Sequence, residues 1–152
     1  MGILSKSVEI ERSPEEVFVF VNDFDKMNSV HSGYTEAHYT SAGPIGVGST
    51  AHFRGTHGGS NMEWDMRLTD FEENKKVRWH TEKPSKMTNT LLLEPTSKGT
   101  MLTHIVEYEL PYSYLGRIID KFKVKKDVEK EMASWLENAK SAIEGKGLKI
   151  SA

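Results

Sequence analysis

The sequence contains no cysteine among its 152 residues. Thiol catalysis, thiolate metal sites and disulfide bonds are therefore excluded, while the redox compartment stays open. The chain also lacks a large excess of one charge, because its formal net charge is only −2. This charge gives no reason to expect a polyanionic partner. No apolar run approaches the ~20 residues that span a bilayer, and the opening residues are too polar for a secretory signal. We therefore expect a cytoplasmic protein without integral membrane association.

Motifs for metals, nucleotides and nucleic acids are missing as well. Five histidines, at positions 31, 38, 52, 57 and 80, are scattered over predicted strands and turns, and no pair has the His-x-x-x-His spacing of a helical zinc site. The glycine-rich stretches 43–48 and 55–59 match neither a Walker loop nor a dinucleotide fingerprint, so we expect turns there. Basic and aromatic residues are not interleaved on a predicted strand. The sequence thus predicts no metal, no cofactor and no nucleic-acid partner.

The longest regular pattern in the chain runs from Ser113 to Glu144, a stretch without proline that ends at Gly145. Apolar residues recur through it at helical spacing, namely Leu115, Ile118, Ile119, Phe122, Val128, Met132, Trp135, Leu136, Ala139 and Ile143. An amphipathic helix of this length must bury its apolar stripe against other elements. Because the length fits a single domain, residues 1–152, we expect the upstream chain to cover this helix.

The upstream pattern predicts one strand, two short helices and six further strands. Val8 and Ile10 alternate with glutamates in the first strand. The segment Ser13-Pro14-Glu15-Glu16 is typical of a helix start, with serine as the cap and proline in the first turn. The six strands are predicted at 34–41, 49–56, 62–69, 77–82, 87–94 and 100–110, with turn residues between them. This order predicts an α+β fold in which an antiparallel sheet of about seven strands packs on the long helix.

The chain resembles the helix-grip superfamily, which includes START lipid-transfer domains, birch-pollen-allergen relatives and polyketide cyclase/dehydrase-like proteins. The residues that carry the likeness are Val8-Glu9-Ile10, Ser13-Pro14-Glu15-Glu16-Val17-Phe18, Asn22-Asp23-Phe24-Asp25, Gly46-Val47-Gly48-Ser49, Gly99-Thr100 and Glu107-Tyr108-Glu109. The resemblance covers nearly the whole chain. It implies a curved sheet that grips the long helix and encloses a cavity for an apolar or amphipathic ligand. It implies no particular catalytic residue, because the superfamily has no invariant catalytic motif.

Strand alternation places a set of apolar and polar side chains on the face toward the helix. The candidate ligand-binding residues are Phe53, Met62, Trp64, Met66, Trp79, Leu91, His104, Val106 and Tyr108 on the strands, with Leu115, Ile119 and Phe122 on the helix. One interpretation is an ordinary core, since buried aromatic residues and methionine are common there. The other is that some of them line a cavity, where thioethers adapt to ligands of different shape.

His104 is the polar residue with the clearest chemical potential in this set. It shares the predicted inward face with Leu102, Val106 and Tyr108, so its imidazole is expected to be desolvated. A neutral imidazole there suits a tentative catalytic role as general base next to a carbonyl, with the Tyr108 phenol as a hydrogen-bond donor. The alternative is a core histidine whose ring nitrogens are satisfied by other protein groups.

Two charged groups are predicted to face solvent. Glu63, Asp65 and Arg67 have outward parity on their strand, although a reversed parity would place them in the cavity as catalytic candidates. A basic run of Lys121, Lys123, Lys125 and Lys126, with Arg117 and Lys130 nearby, suits an anionic headgroup or simply forms a solvated helix face diluted by acidic residues.

We expect binding or transport of a small apolar or amphipathic molecule, such as a lipid, sterol or polyketide, by a monomer or weak dimer. The alternatives are a polyketide cyclase or dehydrase that uses His104 as base, and a protein-interaction or chaperone co-factor module.

The apolar stripe of the predicted long helix divides into two segments. When the residues are placed around the helix axis at ~100° each, the apolar residues of 115–122 point in one direction and those of 128–143 in another, about 120° away. We expect a bend or break near Lys123, with the first segment as a movable gate and the second packed tightly on the sheet.

Overall fold

One antiparallel sheet and three helices make up the described part of the chain. The computed structural model describes residues 2–30, 36–57, 60–109 and 121–145. The elements in chain order are β1 (Gly2–Ile10), α1 (Pro14–Val21), α2 (Phe24–Val30), β2 (Glu36–Tyr39), β3 (Thr50–His57), β4 (Ser60–Glu72), β5 (Lys76–Thr81), β6 (Met87–Pro95), β7 (Thr100–Tyr108) and α3 (Lys121–Ile143). This order confirms the predicted α+β helix-grip architecture, with two short helices after the first strand and a long helix at the end.

The seven strands form a single open sheet in the order β1-β7-β6-β5-β4-β3-β2. Every neighbouring pair is antiparallel, and β2 to β7 form a meander in which each strand pairs with the next. The first strand returns to pair with the last along its full length, from Gly2 opposite Tyr108 to Ile10 opposite Thr100. Strands β1 and β2 are therefore the two edges, and α1 and α2 connect one edge to the other.

The predicted alternation decides which side chains reach the core. Val77 and Leu91 lie opposite each other on β5 and β6, and Leu93 lies opposite Leu102 on β6 and β7. All four are buried in one cluster with residues of α1, α2 and α3. Within β4 the register shifts between Leu68 and Asp70, and this irregularity lets both Leu68 and Phe71 lie on the core side although they are three positions apart.

The short helices begin as the sequence predicts. The Ser13 hydroxyl accepts a hydrogen bond from the Glu16 backbone N–H (3.3 Å), and Pro14 is the first helical residue, where its missing N–H has no cost. Asp23 caps α2 in the same way, since its Oδ1 accepts from the backbone N–H groups of Asp25 (3.0 Å) and Lys26 (3.3 Å). The two helices meet at Asn22, whose side chain donates to the Phe18 carbonyl (2.9 Å).

The long helix α3 packs its predicted stripe against the sheet. Met132, Trp135, Leu136 and Ala139 are buried, which confirms that the second predicted segment is the gripped one. The helix continues without interruption through Lys123–Lys126, so it is not broken there, and the predicted alternative of a bend near Lys123 stays a prediction. Lys123, Lys125 and Lys126 are exposed, in keeping with a solvated face. Of the predicted gate at 115–122, residues 115–120 lie outside the described part of the chain, so the gate stays a prediction.

Most predicted strand boundaries agree with the structure to within one or two residues. The exceptions are β1, which begins at Gly2 although the predicted alternation covered only residues 8–11, and β4, which extends from Ser60 to Glu72, whereas the prediction covered 62–69. Hydrogen bonding to β3 at one end and to β5 at the other extends the strand beyond the residues that alternate most clearly. Residues 34, 35 and 110, at the ends of two predicted strands, lie outside the described part.

Candidate functional site

Five aromatic rings meet on the inner face of the sheet beneath α2. We call this the aromatic cluster, and its members are Phe24, Tyr39, Phe53, Trp64 and Trp79. Phe24 of α2 contacts the rings of Tyr39 (4.4 Å), Phe53 (5.4 Å) and Trp79 (5.8 Å) between centroids. Trp64 stacks on Phe53 at 5.7 Å with an interplanar angle of 8°. Three predicted ligand-binding residues, Phe53, Trp64 and Trp79, are thus brought together.

Two members of the aromatic cluster were not predicted as site residues. Phe24 carried a signal, because it lies at helical spacing from Val17, Phe20 and Val21, but that spacing indicates only a buried helix face. Tyr39 lies at the end of the edge strand β2, and its ring reaches Trp79 at 5.9 Å. No local pattern could have paired these rings, because the contact depends on how α2 packs against the sheet.

Burial changes steadily along the inner face of β4. Leu68 is fully buried and Met66 is 4% exposed, whereas Trp64 and Met62, further toward the β3–β4 hairpin, are only half-buried. All four have the same parity, and their register partners Ala51, Phe53 and Gly55 on β3 share that face. The inner face of β4 is therefore fully buried at one end and leaves apolar surface accessible at the other.

His104 lies between β7 and α3 with both ring nitrogens in hydrogen bonds. The Trp135 indole N–H donates to Nδ1 across 2.9 Å, so the proton of the neutral ring is on Nε2 and points to the Asn89 Oδ1 2.8 Å away. Burial lowers the pKa of His104 to about 4, which keeps the ring neutral near pH 7. As a general base the ring would first have to release the Trp135 N–H from Nδ1. The catalytic assignment of His104 stays a prediction.

The other predicted site residues separate into two groups. Leu91 belongs to the main core, while Val106 and Tyr108 belong to a smaller cluster with Leu4 and Met132 between β1, β7 and α3. The Tyr108 ring lies so close to Gly2 that a Cβ at that position would overlap it. Leu115 and Ile119 lie outside the described residues, and the Phe122 side chain is also not described.

The charged residues of β4 face away from the concave side, as predicted. The side chains of Glu63 and Asp65 are 54% and 79% exposed. Asp65 accepts from His52 Nδ1 (2.7 Å), and this bond chiefly raises the pKa of His52. Arg54 donates to Glu63 (2.6 Å) and lowers the pKa of that carboxyl group. Because these side chains lie on the solvent side of the sheet, they form cross-strand surface pairs. Each such pair contributes little to the stability of the fold.

Two surface grooves lie beside the short helices. One of about 630 Å³ runs between α1, α2 and the end of α3, and its lining includes Val19, Phe20 and Ile143. The other, of about 530 Å³, lies between the α1–α2 corner and the edge strand β2. Of the predicted ligand-binding residues that the structure describes, none lines either groove.

In residues 2–30, 36–57, 60–109 and 121–145, no group of three or more histidine, aspartate or glutamate side chains is arranged to hold a metal ion. None of the helices in those same ranges has the length and apolar character needed to cross a bilayer.

Comparison with known proteins agrees with this architecture. Among solved structures, the chain is similar to a START superfamily protein from Mycobacterium smegmatis, with a TM-score of 0.76 and 17% identity over 94% of this chain and 97% of that one. It is similar to the protein TTHA0849 from Thermus thermophilus, with a TM-score of 0.72 and 16% identity over 99% and 100% of the two chains. It is also similar to the di-domain ARO/CYC protein StfQ from the steffimycin biosynthetic pathway, with a TM-score of 0.76 and 12% identity over 95% of this chain and 51% of that one.

At these identities the structural likeness shows the fold alone. Comparison with curated proteins finds no match. Residues 1–144, nearly the whole chain, match the family described as polyketide cyclase/dehydrase and lipid transport. On this match the chain belongs to the polyketide cyclase/dehydrase and lipid transport family.

Proposed function

We propose that this protein binds or transports a small apolar or amphipathic molecule, of lipid, sterol or polyketide type, between the concave face of the sheet and α3. The observation that carries the proposal is the half-buried state of Met62 and Trp64, two large apolar side chains on the inner face of β4. An inward face that leaves such side chains accessible is a surface for a ligand, since exposed apolar area costs free energy. The family's description, which includes lipid transport, supports the same conclusion.

The aromatic cluster supplies the affinity of this site. Trp64 and Phe53 present stacked rings, and Met62 lies beside them as an adaptable thioether. Burying about 200 Å² of apolar ligand surface there contributes about 5 kcal/mol before the entropic cost of association is subtracted. His104 and Tyr108 are the groups we propose to orient a polar end of the ligand, and His104 can do so only when Trp135 or Asn89 releases a ring nitrogen.

Native mass spectrometry of freshly purified protein tests the proposal directly. We expect a small-molecule mass on the folded chain, and saturable changes in tryptophan fluorescence with a panel of fatty acids, sterols and aromatic polyketides. Trp64→Leu should weaken binding, whereas Val47→Ala, at a residue that is 70% exposed, should leave it unchanged. Absence of bound mass, together with no thermal shift from any panel member, would overturn the proposal. A stoichiometric protein in the same spectrum would instead support the protein-interaction or chaperone co-factor alternative.

A second candidate is a cyclase or dehydrase that acts on a polyketide. It is favoured by the family's description and by the structural likeness to StfQ, an ARO/CYC protein. In this case His104 is the base, and Trp135 must turn away from Nδ1 before proton transfer. His104→Gln separates the two functions, because a binding protein keeps its ligand affinity while a cyclase loses turnover with binding retained.

The proposed setting is a single-domain protein of the cytoplasm, monomeric or weakly dimeric, that needs no cofactor. Size-exclusion chromatography with light scattering checks the assembly state, and the molar mass of a stable higher oligomer would contradict it. Full binding activity after exhaustive dialysis against a metal chelator would support a site built from side chains alone.

A further inference from the structure

Asn89 places a primary amide on the inner face of the sheet. It lies on β6 directly between Trp79 of β5 and Val106 of β7, and register partners of this kind share one face. Trp79 belongs to the aromatic cluster, so the amide borders the apolar surface of the concave face. Both neighbours are buried, whereas Asn89 is half-buried. A polar side chain is therefore accessible within a row of apolar ones.

The hydrogen bonds of His104 fix which way the Asn89 amide points. The Trp135 indole N–H can only donate, so Nδ1 of the neutral imidazole accepts it and the ring proton is on Nε2. The Asn89 atom that lies 2.8 Å from Nε2 must then be an acceptor, and within the amide only Oδ1 can accept. The Nδ2 group, with its two N–H donors, is therefore turned away from the imidazole.

These two N–H donors are available to a ligand. In the described part of the chain, the amide bonds through Oδ1 to His104, and Nδ2 donates to no residue. Nδ2 is also not among the described side-chain atoms that are buried without a partner, so it retains accessible surface. Asn89 differs in this respect from His104, whose two ring nitrogens are both occupied.

The amide lies at the same end of the sheet as the half-buried part of β4. Met87, two residues before Asn89, and its register partner Tyr108 are also half-buried. On β4 the exposure increases in the same direction, from Leu68 to Trp64. An apolar body that lies on this end of the inner face therefore meets Asn89 where the face becomes fully buried.

The surroundings of the amide favour a neutral acceptor over an anion. Burial lowers the pKa of His104 to about 4, so the imidazole beside Asn89 carries no charge near pH 7. Lys6, which lies opposite His104 on β1, pairs with Glu129 of α3 (3.6 Å). A carboxylate at Nδ2 would lose hydration without gaining a free counter-charge from either group, and this costs far more than burying a carbonyl.

We propose that Asn89 Nδ2 donates to an uncharged carbonyl oxygen of the ligand, so that the ligand class is a ketone, ester or amide carried on an apolar or aromatic body. The inference rests on the function proposed for the concave face and names the polar contact of that site. His104 is then a positioning residue, because it holds Oδ1 and keeps the two donors directed at the ligand. The contact forms without breaking any hydrogen bond of His104.

Two probes of the same shape test the contact, 2-acetylnaphthalene and 2-isopropenylnaphthalene. A methylene carbon in the second replaces the ketone oxygen of the first and cannot accept a hydrogen bond. Titration of the whole protein, followed by amide NMR shifts, gives both dissociation constants. Their ratio is compared between variants, so the different hydrophobicities of the probes cancel. The side-chain amide signals of Asn89 should shift far more with the ketone than with the alkene.

The matched variants separate the donor from the fold. Asn89→Asp removes the donors but keeps an acceptor for the His104 N–H, so it should fold, and at pH 8 the introduced carboxyl group is ionised. It should lower the preference for the ketone over the alkene by about fivefold. Asn61→Asp makes the same change at an exposed residue on the outward face of β4 and should leave the ratio unchanged. His104→Leu frees Oδ1, so the ketone preference should fall there too while the alkene still binds.

The outcomes distinguish this inference from the function on which it rests. If both probes bind with the same ratio in wild type and in Asn89→Asp, the Asn89 contact is overturned and the binding function stands. Binding of 2-naphthoate as tight as that of the ketone would also overturn it, since we expect the anion to bind at least about tenfold more weakly. No saturation by either probe would count against the concave site itself, and the Asn89 contact would fall with it. If Asn89→Asp does not fold, the amide signals of the wild type decide, and equal shifts with both probes would overturn the contact.

Discussion

Trp135 donates its indole N–H to Nδ1 of His104 across 2.9 Å, and this bond joins the buried face of α3 to the centre of β7. Both side chains are buried, and their rings meet edge to face with an interplanar angle of 74°. Because Nε2 is in turn bonded to Asn89, the bond joins β6, β7 and α3 in one polar chain. Such a fully satisfied buried group specifies how the helix rotates and slides on the sheet.

Removing the indole N–H should therefore destabilise the fold. Trp135→Phe leaves Nδ1 of His104 without a donor and also leaves a small cavity, so we expect a loss of about 3 kcal/mol in the free energy of unfolding. Urea denaturation measures this loss. In a His104→Leu background no ring nitrogen is left unpaired, and the same substitution should cost about 1 kcal/mol less. Equal costs in the two backgrounds would mean that the hydrogen bond contributes nothing and only packing matters.

The buried imidazole should also make stability depend on pH. Burial lowers the pKa of His104 from 6.5 to about 4, so between these values the unfolded chain binds a proton at this residue that the native protein does not. The free energy of unfolding should then fall as the pH drops through this window, by on the order of 3 kcal/mol in total.

The matched control for this pH dependence is His104→Gln. Glutamine can accept from Trp135 and donate to Asn89 but does not titrate. The two proteins share all their other titratable groups, so the difference between their unfolding free energies at each pH isolates His104. We expect this difference in unfolding free energy to become smaller from pH 7 to pH 4. Parallel curves over this range would show that the native pKa is not lowered.

The sequence predicted the fold well because its signals were local. Alternation in β4 to β7 and the cap at Ser13 are read within one element, and each proved correct. Helix α3 is not broken near Lys123, since a change in the direction of the apolar stripe does not require a break in the backbone. A helix can remain continuous while different faces meet different partners.

The candidate site was predicted less completely, since it depends on contacts between distant elements. Alternation placed Trp64 and Trp79 on the inner face, but it could not show that Phe24 and Tyr39 complete the aromatic cluster. It placed His104 inside without revealing that Trp135, 31 residues later, occupies its acceptor nitrogen. The groove between the α1–α2 corner and β2 had no sequence signal, because it forms where two helices meet an edge strand.

Gly99 offers a sharp test of backbone packing in the β6–β7 hairpin. A Cβ at this position would overlap the Ile10 carbonyl and the Arg12 backbone, closer than Cβ atoms are found in proteins. Gly99→Ala should therefore cost at least about 3 kcal/mol, because the neighbouring backbone cannot move aside. Gly46→Ala is the control, since nothing lies near its Cβ and its effect should stay within about 0.5 kcal/mol. Thermal unfolding of both variants decides, and equal melting temperatures would contradict the close approach.

Glu144 fixes the end of α3 that follows the gripped segment. Its buried Oε2 accepts from the Glu11 backbone N–H (2.8 Å) and from Lys140 Nζ (2.7 Å), while Lys140 also donates to the Glu9 carbonyl (2.6 Å). The Arg12 guanidinium adds a bond to the Glu144 carbonyl (2.9 Å). These contacts attach the helix end to the β1–α1 connection. We therefore expect any adjustment of α3 to a ligand to occur toward its other end.

Glu144→Gln should loosen this attachment. The amide can still accept from Glu11, but Lys140, whose side chain is 27% exposed, loses its counter-charge. We expect a loss of about 2 kcal/mol in unfolding free energy, below the full cost for a buried pair because water reaches the lysine. Glu137→Gln, at an exposed position on the same helix, should change stability by less than about 0.5 kcal/mol. Hydrogen exchange should show faster opening of residues 139–144 in the first variant alone. If both variants exchange alike, the C-terminal end of α3 is held by apolar packing rather than by Glu144.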